Sequence, residues 1–260
     1  MSERAATLPS AFVSFDTPSA RVVCDDRFAS PVRAALEQGS LYEYARAHPA
    51  ARVLAGRGPA YAVHLPGDTT CVIVRHNRHG GLLAPFTGDL FRWPSRAPLE
   101  LENSRRLLSE RVPTPKLVCY ALYRAPAGFC RADVVTVEVP ASRDLSTAIT
   151  SPHADHRARA LHATARLVQS LTAAGARHHD LNVKNVLLRD RADGGTEALV
   201  LDVDRVVFSS DRVAVREGNL ARLLRSTRKW RDRHGAPITN SELADLAALV
   251  RGPELSSARP

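Results

Sequence analysis

Aromatic residues are scarce in this chain: 5% of 260 residues, with two Trp and a single Met. Few aromatics leave little for base stacking, so a dedicated nucleic-acid binder is disfavoured. The four cysteines (Cys24, Cys71, Cys119 and Cys130) are scattered, with no C-x-x-C pair and no His/Cys metal spacing. That excludes a structural zinc module and fits a reducing, cytosolic compartment. No stretch approaches the ~18 consecutive apolar residues of a membrane span. Residues 1–17 lack a basic start followed by an apolar core, so no secretion signal is expected.

What the chain does hold is basic charge. Lys and Arg number 36 against 27 Asp and Glu, a net charge of +9, which favours anionic partners such as nucleotides or an acidic membrane surface. A hydrophobic share of 44% over this length suits a soluble protein with a sizeable core.

The chain is organised around His178-His179-Asp180-Leu181-Asn182-Val183-Lys184-Asn185, which reads H-x-D-x-x-x-x-N and runs into the apolar Val186-Leu187-Leu188. A second apolar run, Leu199-Val200-Leu201, ends in Asp202 after a turn rich in Arg, Asp and Gly. The two runs predict a hairpin that returns Asp202 to the end of the sheet where Asn185 sits. Phosphoryl transfer from Mg-ATP needs a carboxylate near the attacking hydroxyl, and an amide oxygen and a second carboxylate on the metal. Asp180 is the candidate base, Asn185 and Asp202 are the candidate Mg²⁺ ligands, and His178 is expected to brace the loop. An ordinary polar turn would explain H-x-D-x-x-x-x-N alone; the flanking apolar runs and the placement of Asp202 favour the kinase reading.

These residues, with Asp202-x-Asp204-Arg205, resemble the lipopolysaccharide kinase family, and within it the 3-deoxy-D-manno-octulosonic acid (Kdo) kinases. Val203 stands where those enzymes usually have Phe. Further matches are the segment Arg75-His76-x-Arg78-x-Gly80-Gly81, a Gly88-Asp89-x-Phe91-x-Trp93 segment, and Asn219-Leu220-x-Arg222-Leu223-x-Arg225-Ser226. The resemblance covers roughly residues 50–230 in its spaced motifs. It implies an α+β, protein-kinase-like fold with a small β-rich lobe carrying one helix and a mainly helical large lobe. It also implies ATP and Mg²⁺ as cofactors, and phosphorylation of a Kdo hydroxyl on a lipid-linked acceptor, a lipid A precursor, at the cytoplasmic face of the inner membrane.

In chain order, residues 1–50 are expected to hold a loose arm over 1–20 and a helix over 31–48. Residues 51–140 form the small lobe, 141–252 the large lobe, and 253–260 a disordered tail. Three strands are predicted over 52–76, with Gly56 and Gly58 as a short glycine turn able to approach phosphates. Arg75 ends the third strand as the candidate phosphate-binding cation. A helix over 99–111 offers Glu100 and Glu102 as its partner. Glu100 is preferred because it shares a face with Ser104, Leu107 and Leu108. Phe91 and Trp93 are read as small-lobe core or an acceptor wall.

Residues 154–174 and 239–251 are predicted helices. Residues 219–233 form a basic helix whose arginines could grip anionic lipid, with Trp230 at the headgroups; a core helix with a solvated basic face explains the same leucines. Two rivals remain at this stage: another small-molecule phosphotransferase, of the sugar or aminoglycoside kind, and a catalytically silent nucleotide- or lipid-binding module.

Overall fold

The structure, a computed structural model, describes residues 11–54, 58–77, 88–93 and 95–252. It divides into two compact units, one of Met1–Glu102 with Lys116–Glu138 and one of Asn103–Pro115 with Val139–Pro260.

The first unit is built on one antiparallel sheet. Its strands are β1 (Phe12–Asp16), β2 (Ala20–Asp25), β3 (Arg52–Leu54), β4 (Ala60–His64), β5 (Cys71–His76), β6 (Phe91–Arg92), β7 (Leu117–Ala125) and β8 (Phe129–Val137). The order is β1-β2-β7-β8-β5-β4-β3, with β6 also paired to β8. The central strands read as near-continuous apolar runs because both faces are covered. Val22, Cys24, Val72, Val74 and Val135 face α1 (Ala29–Leu36) and α2 (Leu41–Ala47). Val23, Leu117, Tyr120, Leu122 and Val134 face Ala97 and Leu101 of α3 (Ala97–Ser109).

Two expectations are corrected here. The predicted loose arm over 1–20 contains β1, paired along its length with β2. Phe15 is buried there with the Arg33 guanidinium 3.6 Å above its ring, a cation–π contact that two residues of unlike type do not advertise in sequence. The single helix expected over 31–48 is two. Gly39 at φ 127 breaks it, and Ser40 and Glu43 form a capping box that starts α2.

The second unit holds β9 (Ser142–Asp144), α4 (Leu145–Ile149), α5 (Ala154–Ala173), β10 (Ala176–His178), β11 (Val186–Asp190), β12 (Thr196–Val200), β13 (Val206–Phe208), α6 (Arg212–His234) and α7 (Asn240–Arg251). The predicted hairpin is β11 and β12, with Val186 opposite Val200, and β9 adds to its other side. Helix α5 buries Leu161, Thr164, Val168 and Leu171 against leucines of the segment 178–188 and of α6, including Leu181, Leu188, Leu220 and Leu223. Each fully buried leucine contributes about 2 kcal/mol. Gly175 ends the helix turn at φ +68, and a Cβ there would lie 2.3 Å from the Ser209 carbonyl oxygen. Only glycine fits this close approach, which delivers the chain into β10 and so to His178. Helix α6 begins earlier than the expected residue 219, where Asp211 caps it by accepting from the Ala214 N–H.

Candidate active site

The segment from His178 to Asn185 is held mainly by uncharged groups, beside the ion pair of Lys184 with Asp144. The His178 side chain is wholly buried. Its Nδ1 accepts the Asp180 backbone N–H at 3.1 Å, so the ring proton sits on Nε2 and is donated to the Leu201 carbonyl at 2.9 Å. Burial lowers the His178 pKa despite nearby carboxylates, which keeps the ring neutral. The Asp180 carbonyl accepts from Asn182 Nδ2 and Asn185 Nδ2, both at 2.9 Å. Leu201 N–H donates to the Asn185 carbonyl at 2.9 Å. These bonds stitch the Asp180–Asn185 turn to the segment that carries Asp202.

Behind this segment Asn219, fully buried, takes the His178 N–H and donates to the Ala176 carbonyl, each at 2.9 Å. With Nδ2 of Asn185 committed to Asp180, Oδ1 is the atom its amide can turn to a cation. Asp202 stands in the left-handed region at φ 53, ψ 49, at the head of a short turn over Val203–Arg205. Asp and Asn tolerate this region better than other side chains. Val203, in place of the usual Phe, is 3% exposed and joins the core. The turn is clamped by Asn103 of α3, whose Nδ2 donates to the carbonyls of Val203 at 2.8 Å and Val206 at 3.0 Å.

An amide oxygen and a carboxylate are hard oxygen donors, the set Mg²⁺ takes when nucleotide phosphates and water complete its shell. Among the described residues no cluster of three or more His, Cys, Asp or Glu forms an all-protein metal cage.

In the first unit Arg75, at the end of β5, pairs with Glu100 through Nη2 and Oε1. Glu100 is 6% exposed, whereas Glu102 faces outward; Glu100 shares its buried face with Ser104 and Leu107 at i+4 and i+7, while Leu108 at i+8 is 40% exposed. Gly58 lies just ahead of β4. Gly56, Arg78, Gly80 and Gly81 fall outside the described residues. Trp93 packs on the core beneath α3, the small-lobe half of its expected role.

Several partnerships were missed from sequence. His76 bridges Asp133 and Asp89, at 2.6 and 2.9 Å. Lys184 reaches Asp144 at 2.8 Å and lies 4.9 Å over the Trp230 ring. Trp230 itself packs against the core rather than projecting as a headgroup anchor. Arg205 is exposed and makes no ion pair among the described residues, while its carbonyl accepts the His179 N–H at 3.0 Å.

On α6 a groove of about 670 Å³ is lined by Arg225, Arg228, Lys229, Arg233 and, from α7, Arg251, over Leu220 and Leu224. The helix's two acids are already engaged, Glu217 with Arg251 and Arg216, and Asp232 with Arg231.

Comparison with known proteins agrees with this arrangement. The model of the lipopolysaccharide kinase (Kdo/WaaP) family matches residues 55–248. A 3-deoxy-D-manno-octulosonic acid kinase of Stenotrophomonas maltophilia is 29% identical over 195 residues, 74% of each chain. One of Xanthomonas campestris pv. campestris is 31% identical over 185 residues, 68% of each chain. Among solved structures, WaaP in complex with acyl carrier protein shares the fold at a TM-score of 0.55 and 20% identity, covering 90% of each chain.

Proposed function

Since the chain belongs to the lipopolysaccharide kinase (Kdo/WaaP) family and is a phosphotransferase acting on a sugar hydroxyl, we propose that it moves the γ-phosphate of ATP to a Kdo hydroxyl of lipid-linked lipopolysaccharide inner core. The observation that carries this reading is the Asp180–Asn185 turn, hydrogen-bonded to the segment that bears Asp202.

Asp180 accepts the proton of the acceptor hydroxyl as its oxygen bonds to the γ-phosphorus. The bond from that phosphorus to the β-phosphate bridging oxygen breaks, and ADP leaves. His178 takes no proton; neutral and buried, it fixes the backbone at Asp180. Arg75 binds nucleotide phosphate oxygens, and Glu100 orients its guanidinium. Gly56 and Gly58 allow close backbone approach to the phosphates. Asn185 and Asp202 hold Mg²⁺, which when bound neutralises charge on the phosphates.

The acceptor is an octulosonic acid, ionised at neutral pH, on an anionic lipid. The cations of the α6 groove match that charge and suit a peripheral position on the cytoplasmic face of the inner membrane. No helix among the described residues is long and apolar enough to cross a membrane.

The test is transfer of labelled γ-phosphate from Mg-ATP to a Kdo-bearing lipid A precursor in detergent. Asp180→Ala should lower the rate about 10³-fold with an unchanged melting temperature. Asp180-dependent ATP hydrolysis without labelled lipid would move the acceptor to soluble sugars. Near-normal transfer by Asp180→Ala would sink the assignment of the base.

A further inference from the structure

The first unit contains a charged cluster that the proposed chemistry leaves unused. His76 follows Arg75 directly at the end of β5. In the ladder Arg75 lies opposite Val134, and His76 opposite Asp133. Strand alternation turns the two side chains to opposite faces of the sheet. Arg75 goes to Glu100, and His76 goes to the face covered by α2, where its ring lies 5.3 Å from the Tyr42 ring.

Both imidazole nitrogens end on carboxylates, Nδ1 on Asp133 at 2.6 Å and Nε2 on Asp89 at 2.9 Å. Ionised carboxylates only accept hydrogen bonds, so each ring nitrogen must donate, and the ring is an imidazolium. Asp133 is wholly buried, and its other oxygen accepts the Tyr42 N–H at 2.9 Å. That N–H belongs to the first turn of α2, where backbone donors have no carbonyl partner within the helix. Asp89 also accepts from Arg131 Nε at 2.8 Å. One side chain therefore joins β5, β8, the start of α2 and the chain at residue 89.

The groups facing the ring among the described residues are Asp133 and Arg131 from β8, Asp89, and Tyr42 with the more distant Glu43 from α2. The Tyr123 hydroxyl of β7 lies beyond, on the Leu41 N–H at 2.9 Å.

We propose that His76 is a positioning residue for phosphate binding: as an imidazolium shared between Asp133 and Asp89, it clamps the end of β5 and keeps Arg75 aimed at the nucleotide phosphates. Loss of the ring's second proton leaves a lone pair facing the carboxylate of Asp89. The clamp opens on that side, while the bond to Asp133 persists. Burial opposes the ring's charge, but the two carboxylates outweigh it and raise the His76 pKa. The clamp is therefore closed at and below the ordinary histidine value and opens as pH rises through the raised one.

This inference rests on Arg75 as the phosphate-binding cation, and its test reads binding rather than turnover. The dissociation constant of Mg-ATP is measured by calorimetry on the full chain from pH 6.5 to 9.5. The wild type should lose affinity about tenfold across the alkaline limb, the scale of one charge-assisted hydrogen bond. His76→Gln should bind weakly at every pH, with the limb gone. Asp89→Asn should keep the limb and move it to lower pH, because one of the two carboxylates that hold the proton has been neutralised. A role in stability alone would move the melting temperature and leave the limb in place.

The same limb in His76→Gln, or a flat wild-type profile, overturns the inference. If His76→Gln does not fold, Asp89→Asn decides, and an unmoved limb there overturns it. A wild type that binds no Mg-ATP at any pH overturns the underlying kinase reading as well.

Discussion

The two units hold their key residues by opposite means. In the first, charge meets charge: Arg75 on Glu100, and His76 between Asp133 and Asp89. In the second, the residues around Asp180 are held mainly by neutral groups, with the Lys184–Asp144 pair at the rim. His178 is an uncharged ring, and three asparagines, Asn182, Asn185 and Asn219, bond to backbone. A neutral, largely buried network is little affected by salt, and loses its geometry when one member is deleted. A partly exposed charged pair contributes less to the fold, but it points a cation and responds to its surroundings. The difference suits the two proposed tasks: a base must stand still, and a phosphate grip must meet a highly charged nucleotide.

The largest effect expected from breaking this contrast is at Asn219. Asn219→Leu removes the partners of both the His178 N–H and the Ala176 carbonyl in a fully buried place. Urea unfolding should show about 3 kcal/mol lost, and a loss below about 1 kcal/mol would mean the network is not what holds the turn. Next comes Glu100→Gln, which removes the Glu100 carboxylate from the Arg75 guanidinium. Mg-ATP affinity should fall about tenfold with little change in melting temperature, since the Arg75 side chain is 30% exposed. A large stability loss there would make the pair structural.

The smallest effect is in the pH dependence of stability, where the two histidines have opposite signs. The folded-state pKa of His178 is lowered, so the unfolded chain takes up its proton first. Stability is then lost as pH falls through the ordinary histidine value of about 6.5. The folded-state pKa of His76 is raised, so its contribution is full below the ordinary value and is lost as pH rises through the raised one. Urea unfolding from pH 5.5 to 9 should show each slope, at most ~1.4 kcal/mol per pH unit, flattened by the matching His→Gln variant and not by the other.

Much of this arrangement was legible in the sequence. The β11–β12 hairpin was readable because its polar turn sits between two apolar runs, and α5 because its apolar face repeats at helical spacing up to Gly175. The family emerged from spaced polar positions around Asp180 and Asp202. What escaped reading depends on distant pairings. His76 meets Asp133 across 57 positions of chain, and Asn103 meets Val203 across 100; no local pattern encodes either. The strand at Phe12–Asp16 escaped although Phe12, Val13 and Phe15 are apolar, because five residues between polar stretches are too few to set a period; its burial comes from β2 and from Arg33. Strands of three residues, such as β9, β10 and β13, are too short to show a period.

Asp202 offers a lesson for anyone who would redesign this protein. Its backbone lies where most side chains cost about 1–2 kcal/mol, and the proposed chemistry wants a charged oxygen there. Glycine would relieve the strain and remove the oxygen. Asparagine would keep the backbone and lose the charge. Glutamate would restore the charge on a side chain ill-suited to the turn. A library selected only for thermal resistance should therefore enrich glycine at position 202 and drift toward well-folded, inert proteins, so any such selection needs a catalytic screen at every round.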